Sequence, residues 1–433
     1  MPSRLAAFHH CKAASMSESV SAAAAGRLSH FEPTFAEALR RLGALHPGEY
    51  ARSRNALDGA VSGLSPYLTH GVISMRQAIA QLSQRHRLGF DDKLVFEFAW
   101  REFFHHVWTR EGDAVLRDLR PAGLWPGTYA GNVPADLREG RTGVPAIDTA
   151  VRQLYATGYL HNHARMWLAS YAVHLRKVDW RAGADWMFGH LLDGDVPSNH
   201  LSWQWVAATF SNKPYLFNAD NVARYAPKAG SEAWVSQGTV IDQSYEALEQ
   251  IARGQADVGP EPGGHEGVAE PALMRGPPPD LMAAANLRSG ADAMAAALRA
   301  KRAVECVHPW QMSERDDASA FRLGVIHLPA HASLPWSERR WRWVLTRMQA
   351  VTDAVFIGDL AQMALPKRTT ATSFAAPMPD YDAALRTVAT LQPAPRLMPN
   401  PEQTCRSFTA FYQAVRRSAP TLQHLMQRSL FDD

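Results

Sequence analysis

Within fifteen positions, LLDGDVPSNHLSWQW at 191–205 gathers two aspartates, an asparagine and two tryptophans. An ordinary helix would bury Leu191, Leu192 and one tryptophan without needing Asp193, Asp195 and Asn199 beside them. Two other segments carry related groupings. In FEFAWREFFHHVW, Glu97, Trp100 and Arg101 fall at i, i+3 and i+4 and share one helix face; in YLHNHARMWLASY, Asn162, Arg165 and Met166 repeat that spacing. Two helices that each show a polar group, a cation and a large apolar group can line a pocket for a flat ligand with polar edges. Asp193 and Asp195 are suited to pair with Arg165 or Arg101. Each piece also has a plain structural reading: Trp100 as a core tryptophan, Arg165 with Asp193 as an ion pair, Met166 as a gap-filler. His105, His106, His161 and His163 are adjacent or two apart on helices, so they do not face one site, and no metal is expected.

The elements that must position these residues are helical from about 30 to 225. Phe35, Leu39 and Leu42 keep one face, and Ser74 with Gln77 stands at capping-box spacing ahead of Ile79 and Leu82. Pro145 starts a further helix and Gly158 ends it. The stretch RGQADVGPEPGGHEGVAEPALMRGPPPD, 253–280, is dense in Gly, Pro and acidic residues and reads as a flexible linker. Beyond it, FRLGVIHL at 321–328 and DAVFIGDL at 353–360 are β-branched apolar runs that flank the helical WSERRWRWVLTRMQAV, the order of a βαβ unit. The expected organisation is a disordered leader over 1–28, an all-α domain over 29–252, the linker over 253–280, and a small α/β, Rossmann-like domain over 281–433. The fold class is thus mainly α.

With 433 residues, 46% apolar and 20% charged, the chain has the composition of a soluble protein with room for two domains. A net charge of +3 permits nucleic acid as a partner without arguing for it. Cys11, Cys306 and Cys405 form no CxxC pair, which argues against a disulfide framework, a zinc site or a cysteine-ligated cluster and points to a reducing, cytoplasmic setting. No apolar run approaches the roughly 18 residues of a membrane span.

Read in order, SGLSPYLTHGVIS at 62–74, ExxWREF at 97–103, RTGVPAIDTAVRQL at 141–154, TGYLHNHARM at 157–166, VDWR at 178–181 and LLDGDVPSNHLSWQW at 191–205 resemble the flavin-binding helical domain of the photolyase/cryptochrome family, over about residues 45–227. The resemblance implies bound FAD and light-driven splitting of cyclobutane pyrimidine dimers in UV-damaged DNA by a monomer. Position by position, it implies that Tyr50, Ser62, Leu64 and Ser65 contact the FAD diphosphate, and that Arg101, Arg165, Asp193, Asp195 and Asn199 contact the flavin and ribityl chain. Asn162 matches the residue facing flavin N5. Trp203 and Trp180 match two members of an aromatic electron relay, with Tyr129 or Trp125 as the outermost. Glu97, Trp100, Met166 and Trp205 match positions that receive a flipped-out dimer. A cryptochrome-like photoreceptor is the alternative; a six-four photolyase fits less well, because Asn162 and Met166 resemble the cyclobutane-dimer type.

Departures from the family pattern are also present. The flavin-domain resemblance begins almost at the N-terminus, so no N-terminal α/β antenna domain and no antenna chromophore are expected, and an α/β-like region is expected after the flavin domain instead. Gly63 and Val61 replace a frequent arginine and threonine, and His163 replaces an arginine that often grips DNA.

Overall fold

The computed structural model describes residues 30–120, 123–259, 266–284, 295, 303–315, 319–363 and 370–428. The leader at 1–28 and residues 260–265 lie outside them. Among the described residues, 30–252 form helices and loops with a single isolated β-bridge, Ala130 to Val178. The helices that carry the site are α1 (Pro47–Ser53), α2 (Ser65–Thr69), α3 (Lys93–Glu111), α4 (Pro145–Thr157), α5 (Asn162–Ser170), α6 (Trp180–His190) and α7 (Val196–Ala207). Local chemistry sets several boundaries. Pro145 opens α4, where its missing N–H costs nothing, and Gly158 closes it at φ 70°, a left-handed position that favours glycine. The Ser74 and Gln77 capping box is formed on both sides.

α3 is apolar over most of its circumference, apart from the polar stripe Glu97, Arg101 and His105. Leu94, Val95, Phe98, Ala99, Phe103 and Val107 are buried, and Phe96, Trp100, Phe104 and Trp108 pack against the same core. So wide an apolar surface must be covered from more than one side. One side meets α7; the other is covered by α9 (Phe408–Ser418), which presents Phe408, Phe411 and Tyr412.

The C-terminal part is built on five parallel strands: β1 (Val304–Val307), β2 (Phe321–His327), β3 (Ala354–Gly358), β4 (Ala371–Phe374) and β5 (Thr390–Gln392), in spatial order β3-β2-β1-β4-β5. β2 is buried along all seven residues, as a central parallel strand requires. Helix α8 (Glu338–Val351) runs between β2 and β3, so the expected βαβ unit is present, with Leu323 opposite Ala354. β1, β4 and β5 were not visible in the sequence: VECV, ATSF and TLQ are too short to show periodicity.

Two expectations about domain limits change. The first hydrophobic core unites residues 31–115 and Tyr159, Phe188, Leu192, Val196 and Leu201 with residues 304–425, and the second lies within 133–251. The cores therefore divide inside the helical part, with α6 and α7 contributing to both, not at 253–280. Within that Gly/Pro-rich stretch, residues 266–280 are packed chain rather than flexible linker: Val268 N donates to Glu139 O (2.8 Å), Glu270 accepts from Trp186 Nε1 (3.0 Å), and Leu273–Met274 pairs antiparallel with Trp336–Ser337. Composition alone hides such side-chain anchors. No helix among the described residues is long and apolar enough to cross a membrane.

Candidate functional site

The turn between α6 and α7 carries Asp193, Gly194 and Asp195. Asp195 caps α7 by accepting from Ser198 N (3.1 Å), which fixes its carboxylate at the helix start. The side chain is fully buried, and its Oδ2 meets Arg101 Nη1 at 3.3 Å and His105 Nε2 at 3.0 Å. Burial alone would raise this carboxyl pKa; Arg101 and His105 overcome it and hold the group well below the usual carboxylate range. Asp193 accepts from Arg165 Nη2 through both oxygens, at 2.7 and 3.0 Å, while Arg165 Nε donates to Leu160 O. Both pairings expected from the sequence are therefore formed, and α3, α5 and the α6–α7 turn converge on one place.

Around this centre the other residues are placed as follows. Glu97 on α3 pairs with Arg54 at 2.8 Å, and burial raises its pKa against the pull of Arg54. Tyr50, one turn before Arg54 on α1, is buried beside the same pair. Asn162, at the first turn of α5, donates to Met166 Sδ at 3.5 Å, so these two lie side by side. Asn199 on α7 donates to Ala184 O (2.9 Å), which locks its amide orientation. Ser62 Oγ accepts from Leu64 N (3.3 Å), and Ser65 bonds with the Tyr159 hydroxyl. Gly63 between them sits at φ 60°, a conformation that an arginine would adopt only under strain.

The aromatic candidates stand on neighbouring segments. The ring of Trp203, buried on α7, lies so close to α6 that a Cβ at Gly183 would stand 2.3 Å from it. Trp180 lies three residues before Gly183 on α6 and donates from Nε1 to Asp118 (2.6 Å). Asp179 N donates to Ala130 O, which ties Trp180 to the neighbour of Tyr129. Trp125 stands edge-on to Tyr129 at 5.3 Å, so the two candidates for the outermost position touch each other. Trp205 contacts Tyr215, whereas Trp100 stacks flat on Phe408 of α9, with centroids 4.0 Å apart at 8°. The structure thus engages Trp100 with the C-terminal part, which the sequence did not suggest.

His105 and Arg54 are site residues that sequence reasoning missed. The signal was available for His105, one turn after Arg101 on the same face. The remaining histidines have other partners: His106 meets Asn400 and Cys405 N, His161 caps α5 and meets Arg54 O, and His163 stacks on Tyr225 at 4.5 Å.

A ligand-shaped need is written into this arrangement. Asp195 Oδ1 and Ser198 Oγ are buried with no hydrogen-bond partner, an expensive state for groups sealed from water. A flavin brings an imide N–H and ribityl hydroxyls that can satisfy such atoms, so the donor and acceptor set fits FAD.

Residues 94–254 match the family model described as the FAD binding domain of DNA photolyase. A deoxyribodipyrimidine photo-lyase of Streptomyces griseus is 39% identical over 162 residues, which cover 37% of this chain and 35% of that protein. One of Escherichia coli is 34% identical over 215 residues, 47% of this chain and 44% of its own. A solved cryptochrome structure from Synechocystis covers 50% of each chain at 26% identity with a TM-score of 0.42. The chain spans less than half the length of these curated relatives. Site and match together define a flavin-binding helical domain. Through it, the chain is similar to the photolyase/cryptochrome family over these residues.

Proposed function

We propose that the protein is a light-driven DNA repair enzyme, a deoxyribodipyrimidine photolyase that splits cyclobutane pyrimidine dimers with FAD held at the Asp193–Asn199 site. The observation that carries this reading is the close seat of Trp203 against Gly183 of α6, one helical turn beyond Asn199, whose amide donates to Ala184 O next to that glycine. Bound and reduced, FAD would supply light-driven one-electron transfer to the dimer. The chain's own part is binding and positioning. Asp193, Asp195 and Asn199 hold the flavin edge and ribityl chain, with Arg165, Arg101 and His105 fixing the carboxylates. Tyr50, Ser62, Leu64 and Ser65 are assigned to the diphosphate, and Asn162 to the N5 side. Tyr129 or Trp125, then Trp180, then Trp203 are assigned to pass electrons inward, since indole and phenol rings can be oxidised without breaking bonds.

Glu97, Trp100, Met166 and Trp205 would receive the flipped dimer, which leaves the stack at less than the few kcal/mol of a normal base because it is already poorly paired. Glu97, held by Arg54 at the pocket side of α3, is assigned to hydrogen-bond a base of the dimer. The strand order β3-β2-β1-β4-β5 matches the doubly wound order, which supports a Rossmann-like reading of the C-terminal part. A second reading, a photoreceptor of the cryptochrome kind, is favoured by one observation: the Trp100 ring is already engaged by Phe408. The two are separated by Glu97→Ala. Repair should fall by about 10²-fold, as on loss of one stabilising donor, with little change in DNA affinity; unchanged repair would remove Glu97 from the mechanism.

A further inference from the structure

The turn that carries Asp193 and Asp195 is held from behind by groups outside the flavin-binding motifs. Arg340, on α8 of the C-terminal part, is fully buried and spans to this turn: Nη1 donates to Phe188 O (2.8 Å) and Nη2 to Gly194 O (2.5 Å). Its guanidinium lies 4.1 Å over the Trp336 ring and 4.5 Å over Phe188. Two groups from the end of α2 complete the hold. Thr69 Oγ1 donates to Asp193 O (3.3 Å), and His70 bridges Leu192 O (2.8 Å) and Pro309 O (2.6 Å). Leu192 N donates in turn to Gly158 O (2.8 Å).

The glycine of the Asp-Gly-Asp sequence has its cause here. A Cβ at Gly194 would stand 2.3 Å from Arg340 Nη1 and 2.7 Å from Phe188 O, so only glycine lets the guanidinium reach the turn. A buried cation needs counter-charge, and the opposing charges acting on Arg340 are Asp193 and Asp195, the two carboxylates assigned to the flavin. Burial pulls the guanidinium pKa down to about 9, so it stays charged at neutral pH. The carbonyls along the outside of the turn are thus taken by Arg340, His70 and Thr69. Both carboxylates keep to the inner side, where they meet Arg165, Arg101 and His105.

We infer that Arg340 is a positioning residue for the flavin site: the C-terminal α/β part acts on the cofactor through this side chain, which preorganises Asp193 and Asp195 before FAD arrives. This rests on the flavin reading of the Asp193–Asn199 site. It gives the appended sheet a role without requiring a ligand of its own.

The test compares the full-length wild type with Arg340→Met and Arg340→Lys. Melting of the flavin-free proteins is recorded first, then the dissociation constant for FAD, and then amide exchange at Leu192 and Gly194 in the flavin-free state. The expected result is FAD binding weakened by about tenfold or more in Arg340→Met, the effect of one lost charged hydrogen bond. Partial recovery is expected in Arg340→Lys, which keeps the charge. The two amides should exchange slowly in the flavin-free wild type and faster in Arg340→Lys. A folded Arg340→Met protein with wild-type FAD affinity would overturn the inference. So would a fall in melting temperature with unchanged affinity, which marks a merely structural role. If Arg340→Met does not fold, Arg340→Lys and the exchange measurement decide: equal exchange in wild type and Arg340→Lys overturns the inference. A folded wild type that takes up no FAD would contradict the flavin reading itself, a result distinct from any of these.

Discussion

Asp195→Asn removes one charge from the most buried point of the site. The carboxylate is 0% exposed and faces Arg101 at 3.3 Å and His105 at 3.0 Å, which keep 18% and 24% of their side chains exposed. Removing one partner of a buried pair costs about 3–5 kcal/mol. Solvent can partly take over the Arg101 charge here, so the lower end, about 3 kcal/mol, applies. The amide also turns an N–H toward Arg101 or His105 where an acceptor stood. Urea unfolding of the flavin-free variant should therefore show a lower midpoint with an unchanged slope, and the variant should retain little flavin. The pH dependence has a fixed sign. The folded carboxyl pKa lies below the unfolded value of about 3.9, so its contribution is complete above that pH and is lost as pH falls toward the folded value. The stability gap between wild type and variant should stay constant from neutral pH to about pH 4 and shrink below it. A variant within about 0.5 kcal/mol of wild type, carrying full flavin, would refute the assignment of Asp195.

Other substitutions probe different links. Trp203→Phe should leave FAD bound but slow its photoreduction, read from the visible flavin spectrum under illumination; normal photoreduction would sink the relay. Gly183→Ala pushes a methyl into the Trp203 ring, costing about 1–3 kcal/mol by overpacking, and photoreduction should slow with it; a variant of wild-type stability would mean that the ring is not seated there. Phe408→Ala should cost about 3 kcal/mol, the lower range for a buried phenylalanine, and weaken binding of dimer-containing DNA as Trp100 loses its stacked partner. Unchanged DNA binding would detach Phe408 from the pocket.

What the sequence disclosed and what it hid follow from distance along the chain. Asp193, Asp195, Asn199 and Trp203 sit within eleven residues, so their convergence needs only one turn and one helix, and their pairing with Arg165 and Arg101 followed from charge. The limits of α4 were equally local, set by Pro145 and Gly158. Arg340 lies about 150 residues from the turn it holds, and nothing in WSERRWRWV separates it from Arg339 or Arg342 on an exposed face. The shared core had a readable sign that was passed over. α3 is apolar on all but its Glu97–Arg101–His105 stripe, more than one layer of helices could cover, so the C-terminal part packs on Phe96 and Phe103. The Gly/Pro-rich stretch misled for the opposite reason: its composition suggested flexibility, while Glu270 and Leu273 anchor it side chain by side chain.

The most direct test of the central claim is blue-light repair of a thymine-dimer oligonucleotide by purified, photoreduced protein, with flavin content measured on the same sample. The account predicts flavin-loaded protein that restores the dimer to two thymines only under illumination. Flavin-loaded protein that leaves the dimer intact in both single- and double-stranded DNA would contradict it.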